Sequence, residues 1–190
     1  MITGLVLAGG KSTRMGRNKA YIEVSGRRVI SRVVDVLKEC CSAVLVVCSS
    51  EDDYGFLEVP VVRDIEPGQG SFMGLYSGLV AMETEHALAV GCDMPYISKP
   101  LARHMAGLAP SADIVVPRLG GFYEPLFATY SKACLNASRK LLEDGEKRIR
   151  ILYEIMETRT VEEEEIKMFD PELKTFINLN FPGDLDKIGQ

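Results

Sequence analysis

Thr3-Gly4-Leu5-Val6-Leu7-Ala8-Gly9-Gly10-Lys11-Ser12-Thr13-Arg14-Met15-Gly16-Arg17-Asn18-Lys19 is the stretch whose reading decides how this chain folds. Its apolar opening, residues 3–8, predicts a buried strand stopped by a tight loop at Gly9-Gly10. Residues 7–19 hold three glycines, four cations and no acid. Gly9 and Gly10 reach backbone angles closed to other residues, which lets main-chain N–H groups approach phosphate oxygens closely. Arg14 can grip a phosphate with its guanidinium fork, and Lys19 can place a point charge between phosphate groups. A surface loop that is merely basic has the same composition, but the position directly after a strand favours phosphate binding. The spacing is neither G-x-x-x-x-G-K-[ST] nor G-x-G-x-x-G.

Outward from this stretch, strands and helices alternate. Ile22-Glu23-Val24 before Ser25-Gly26 predicts a small hairpin. Ile30, Val33, Val34, Leu37 and Cys41 recur at helical spacing and predict a helix over Val29–Cys40. Apolar runs predict strands over 43–47, 59–63 and 87–91 and near 113–116, with 122–130 extended. The loop Pro67-Gly68-Gln69-Gly70-Ser71 leads into a helix with Phe72, Leu75, Tyr76, Leu79 and Val80 on one face. Further helices are expected after Pro100 and over 132–143 and 148–157. Strands near 158–165 and 175–179 and a short helix from Pro182 complete the pattern. Such alternation implies a three-layer, Rossmann-like α/β fold with a mostly parallel central sheet, in one domain over residues 1–190. Ligands of such sheets bind beyond the carboxyl ends of the strands, which groups residues 8–19, 48–50, 64–74 and 92–95 on one rim.

Composition narrows the function. With 46% hydrophobic and 26% charged residues the balance is that of a globular protein and not of a disordered one. Net charge is 22 − 27 = −5. Residues 1–32 carry seven cations and one acid, so the rest of the chain carries −11. An acidic chain with one basic corner is poorly suited to nucleic acid but well suited to a small polyanion. The acidic run at residues 162–165 reads as a solvated strand or turn surface. No apolar run reaches the roughly 20 residues of a membrane span, and no cationic leader precedes the first strand. Five cysteines without a C-x-x-C pair, and two histidines, point to reduced thiols in the cytoplasm and to no zinc site.

Residues 7–19, as L-A-G-G-x-S-x-R-M-G-x-x-K, closely resemble the signature of sugar-nucleotide-type nucleotidyltransferases. Among these they look most like the molybdenum cofactor guanylyltransferases, with Leu7-Ala8-Gly9-Gly10 tilting the match away from the cytidylyl branch. Gly91-Cys92-Asp93-Met94-Pro95 resembles the family's metal-binding C-D-x-P, and Asp64 its nucleotide-contacting Asp. Asn178-Leu179-Asn180-Phe181-Pro182-Gly183-Asp184-Leu185 resembles its N-x-N-T-P-x-D-L ending, with Phe181 in place of Thr. Residues 124–130 and 145–148 are similar to segments on its pterin side.

The resemblance implies transfer of GMP from GTP to molybdopterin, with loss of pyrophosphate and a Mg²⁺ ion held by Asp93. It implies Arg14, Lys19 and Asp93 as the catalytic set. Leu7, Ala8, Gly9, Gly10, Lys19, Ser50, Asp64, Asp93, Asn178 and Asn180 would bind nucleotide, metal or acceptor. Proteins of the molybdenum cofactor pathway, or molybdoenzymes, are the implied protein partners. Read without the family, Asp93 is more often a turn or helix cap, Asp64 has the alternative of a strand-terminal turn residue, and the two asparagines that of caps of a final helix. Two departures stand out: Gly70-Ser71-Phe72-Met73-Gly74 where the family has G-P-L-x-G, and Cys48-Ser49-Ser50 where it often has Asn. Cytidylyl transfer, guanylyl transfer to another phosphorylated acceptor, and a non-catalytic nucleotide-binding partner are the other readings.

Overall fold

The computed structural model describes residues 1–9, 21–49 and 54–179. Its first strand, β1 (Thr3–Leu7), is buried along its whole length, as its unbroken apolar run requires of a strand covered on both faces. The hairpin follows as β2 (Glu23–Val24) and β3 (Arg27–Arg28), turned by Ser25 at φ 52° and Gly26 at φ 72°. Two positive φ angles in a two-residue loop make a type I′ turn, whose twist matches the strands it joins. Helix α1 (Val29–Cys40) buries Val29, Ile30, Val33, Val34 and Leu37, the stripe that its spacing predicts.

β1 pairs in parallel with β4 (Ala43–Cys48) on one side and β6 (His86–Gly91) on the other. β5 (Val61–Arg63) adds to β4, also in parallel. Beyond β6 lies β9 (Phe127–Ser131), antiparallel both to β6 and to β7 (Ile114–Leu119), and β10 (Thr158–Glu162) closes that side parallel to β7. The short strand β8 (Phe122–Tyr123) folds back on β7. Among the described residues the sheet order is β10-β7-β9-β6-β1-β4-β5, so the α/β, mostly parallel expectation holds. Helices α1 and α3 (Lys99–Leu108) cover one face, and α2 (Ser71–Ala81) and α4 (Cys134–Glu143) the other. No helix of the described residues is long and apolar enough to cross a membrane.

Four segments differ from their expected form. The extended segment 122–130 breaks into β8 and β9, because Pro125 has no N–H to give and Phe127 N turns back to Glu124 O at 3.1 Å. Residues 148–157 form a 3-10 turn over Ile149–Glu154 in place of an α-helix. Their buried residues, Ile149 and Leu152, are three apart, the period of that tighter helix. The strand near 158–165 ends at Glu162, and Glu163–Lys167 forms α5 with three glutamates in its first turn, where the helix dipole favours them. Residues 175–179 make no strand; Lys174–Phe176 is a 3-10 turn with Thr175 wholly buried.

Helix α2 also turns a different face inward than its spacing suggests. Val80 is half exposed, while Gly74, Ser77 and Gly78 are buried with Phe72, Leu75 and Leu79. The small residues let the helix lie close on β1 and β4. A Cβ on Gly78 would stand 2.8 Å from Leu5 Cδ1 and 3.1 Å from Val47 Cγ2. Gly78→Val therefore forces α2 off the sheet and should cost about 1–3 kcal/mol of stability. Val80→Ala on the open side should stay within about 0.5 kcal/mol. Denaturation midpoints of the two variants check this, and equal midpoints would contradict the close contact.

Candidate active site

The register of the parallel strands carries four residues into one row. Leu7 stands opposite Val47 and Gly91, and Cys48 opposite Arg63. Counting on from those pairs places Gly9, Ser49, Asp64 and Asp93 level with one another, just past the carboxyl ends of β1, β4, β5 and β6. Backbone bonds extend the ladder up to this row. Ala8 N donates to Val47 O at 2.7 Å, Asp64 N to Cys48 O at 2.9 Å, and Cys92 N to Leu7 O at 3.2 Å.

Asp64 is the unusual member of the row. It is 5% exposed, and neither carboxylate oxygen has a hydrogen-bond partner among the described residues. Two glycines leave it room. A Cβ on Gly9 would lie 3.3 Å from Oδ2, and one on Gly74 would lie 3.5 Å from Oδ1. Burial without a compensating partner pushes its carboxyl up to about 6. Buried acceptors are costly until donors reach them, so the chemistry open to this pair is to accept two hydrogen bonds from a ligand. The backbone beside it is fixed from α2, where the buried Ser77 Oγ accepts from Ile65 N at 3.0 Å. Gly70 starts that helix at φ 92°, ψ −171°, a conformation essentially confined to glycine. Phe72, one of the two departures in that loop, has its side chain wholly in the core and away from the rim.

Asp93 lies three strand spacings from Asp64, roughly 14 Å across the sheet. It is half-buried, and a Cβ on Gly91 would stand 2.9 Å from its Oδ1, so the glycine leaves the carboxylate its space. Asp93 O accepts from Leu179 N at 3.0 Å, which sets Asn178 beside this loop. Among the described residues no cluster of three or more His, Cys, Asp or Glu side chains is arranged to hold a metal. One carboxylate together with phosphate oxygens and waters is the usual Mg²⁺ environment, and the Asp93–Gly91 arrangement fits it.

The expected site residues divide accordingly. Leu7, Ala8, Gly9, Asp64 and Asp93 fall on the rim, with Asn178 next to it. Gly10, Arg14, Lys19, Ser50 and Asn180 lie outside the described residues. Tyr21, just after the phosphate-loop candidate, stacks on Tyr54 at 5.9 Å, and Arg28 sits over the Tyr21 and Phe56 rings at 5.2 and 4.2 Å. On the far side Arg148 is taken up by Glu146, which also accepts from the Lys147 and Arg148 N–H groups. That pairing holds the Glu146 carboxyl down to about 2. Burial raises Glu124, and the Tyr130 hydroxyl donates to Pro125 O at 2.8 Å within the core. Ser49 and Ser77 were not singled out by sequence. The only signal for Ser77 is a small hydroxyl residue in an otherwise apolar stretch of helix.

The carboxyl edge of the parallel strands brings Gly9, Asp64 and Asp93 to the place where sheets of this kind bind their ligands. Residues 4–161 match the MobA-like NTP transferase domain, and the chain belongs to that family of nucleotidyltransferases. The "Probable molybdenum cofactor guanylyltransferase" of Pelotomaculum thermopropionicum is 37% identical over 185 residues, covering 97% of this chain and 90% of that one. The molybdenum cofactor guanylyltransferase of Desulfosudis oleivorans is 33% identical over 188 residues, covering 98% and 93%. The solved structure of molybdopterin-guanine dinucleotide biosynthesis protein A from Archaeoglobus fulgidus shares the fold with a TM-score of 0.85. Its identity is 24%, and the match covers 98% of this chain and 96% of that one.

Because the Asp64 carboxyl titrates higher in the folded chain than its ordinary 3.8, the folded protein keeps a proton that the unfolded chain has released. The nucleotide-free protein therefore loses stability through this group as pH rises from about 4 to about 6, and the loss is complete above that window. Asp64→Asn should gain on the parent across the same window and hold a constant advantage above it. Denaturation midpoints at a series of pH values test this; a difference that does not change with pH would contradict it.

Proposed function

We propose that this chain is a molybdenum cofactor guanylyltransferase, one domain over residues 1–190, which transfers GMP from GTP to molybdopterin and releases pyrophosphate. The observation that carries the reading is the buried Asp64 carboxylate between Gly9 and Gly74, without a hydrogen-bond partner among the described residues. Guanine carries its ring N–H and its exocyclic amino group side by side, a donor pair that a carboxylate accepts in bidentate fashion. Cytosine carries one amino donor beside its acceptor N3 and leaves one carboxylate oxygen unpaired. The curated relatives' names support both the nucleotide and the acceptor.

The residues then take these roles. Main-chain groups of Leu7, Ala8, Gly9 and Gly10 hold the nucleotide, with Ser50 bordering it and Asp64 reading the base. Arg14 and Lys19 neutralise the triphosphate. Asn178 and Asn180 hydrogen-bond the acceptor or its phosphate. Asp93 would hold Mg²⁺, which would offset negative charge on the phosphates. An acceptor phosphate oxygen bonds to the α-phosphorus as the bond from that phosphorus to the bridging oxygen breaks, in line. No covalent nucleophile on the protein is needed, since positioning and charge neutralisation supply the catalysis. Five cysteines without a C-x-x-C pair accord with a cytoplasmic enzyme. Its product would pass to proteins of the molybdenum cofactor pathway or to molybdoenzymes.

Pyrophosphate release with molybdopterin tests the base. GTP should be preferred to CTP by at least about a hundredfold in kcat/KM, because the wrong base leaves a buried acceptor unpaired. Preference for CTP would move the chain to the cytidylyl branch. Asp93→Asn should lose metal-dependent turnover with little change in melting temperature, since Asn serves a turn or cap as well as Asp does. Turnover that keeps its metal dependence in that variant would remove Asp93 from the site.

A further inference from the structure

Residues 92–98 join β6 to α3, and Asp93 lies in this loop beyond the paired strand. What holds them is the segment running from Phe169 to Leu179, which laces the loop at both ends. At one end Leu179 N donates to Asp93 O at 3.0 Å. At the other end is Ser98, the N-cap of α3. Its N–H donates to Thr175 Oγ1 at 2.9 Å, and its Oγ donates to Phe169 O at 2.7 Å while accepting from Leu101 N.

The lace has its own brace. Asp170 is buried, and its carboxylate is used entirely within the segment. Oδ1 accepts from Lys174 N at 3.2 Å and Oδ2 from Thr175 N at 2.8 Å. Just before those two N–H groups, Leu173 is held at φ 54°, a left-handed conformation unfavourable for a leucine. The Asp170 grip offsets that cost and fixes where Thr175 stands. Thr175 is wholly buried, with Phe176 packed edge-on against Phe127 at 5.6 Å. A shift of Thr175 thus moves both anchors of the 93–98 loop at once, directly at Ser98 and through residues 176–178 at Asp93. It moves Asn178 with them.

We infer that Asp170 and Thr175 are positioning residues that set the Asp93 carboxylate for its metal from outside the site. The inference rests on the reading of Asp93 as the metal-holding carboxylate. Partners that only orient a ligand commonly govern metal affinity, because a carboxylate displaced by a fraction of an ångström loses its coordination geometry.

Thr175→Val keeps the shape and burial of the residue but removes the acceptor for Ser98 N; Thr175→Ser keeps that acceptor. Asp170→Asn leaves one acceptor where there are two. The measurement is the Mg²⁺ concentration that half-saturates GTP binding, read by calorimetry, and the same quantity for turnover, both well below each variant's melting temperature. Thr175→Val and Asp170→Asn should raise both by about tenfold, and Thr175→Ser should restore the parent value. GTP binding without metal should be unchanged in all three.

A parent-like metal requirement in the folded variants, however far their melting temperatures fall, would make the lace a structural tie and overturn the inference. Should one of the two disruptive variants not fold, the other decides alone. Asp93→Asn, run alongside, separates the two ideas. If it retains metal-dependent binding, the metal reading fails and takes this inference with it. If it loses that dependence while the lace variants keep theirs, only the inference fails.

Discussion

Strand β1 must satisfy two parallel neighbours at once, and the rim follows from that double register. Leu7 is level with Val47 on one side and Gly91 on the other, so the backbone leaving β1 meets Ser49 and Asp64 in one direction and Asp93 in the other. A slip of one residue on either side would present the opposite set of side chains to the edge. Close contacts fix the strand against both layers. A Cβ on Gly4 would stand 3.0 Å from Leu37 of α1, and Gly78 of α2 admits Leu5 from the opposite face. The strand is held edge to edge by hydrogen bonds and face to face by the absence of two side chains.

The same row treats its two carboxylates in opposite ways. Asp64 is walled in by α2 and β1 and carries the full penalty of burial, whereas Asp93 sits half-exposed on a loop. A buried acceptor pair suits a neutral base with aligned donors, because the pairing costs no further desolvation of a counter-charge. A more open carboxylate suits a hydrated cation, which resists giving up all its waters. With the proposed roles, base and phosphates would be separated along one sheet edge by how much water each end admits. The basic corner in residues 1–32 lies in an otherwise acidic chain, which concentrates attraction for a polyanion there.

Much of this was legible from residue order because it depends on local pattern. Thr3–Leu7, the Ser25-Gly26 turn and Val29–Cys40 each form as spacing and turn chemistry dictate. Asp64, Asp93 and Gly9 share the rim because the end of a parallel strand is a topological place that sequence can locate. The rest depends on tertiary distance. The burial of Asp64 requires Gly9 and Gly74, which lie on separate elements. Ser77 looks like any helix serine until Ile65 N is found against it. The tie between Ser98 and Thr175 crosses 77 residues. The 3-10 turn at Ile149–Glu154 reflects a choice between two helical periods that a six-residue segment barely distinguishes.

The double pairing of β1 has a temporal side as well. Its partner in β6 follows 84 residues later, counting from Leu7 to Gly91. At synthesis rates of about 5–20 residues per second, that interval is roughly 4–17 s. For that time β1, buried along its whole length in the finished sheet, can have β4 on one flank and an open row of N–H and C=O groups on the other. Non-local pairing of this kind slows folding, since chain closure comes before any contact repays it. The nascent chain therefore passes through a stage in which the flank of β1 that will receive β6 is open to other strands.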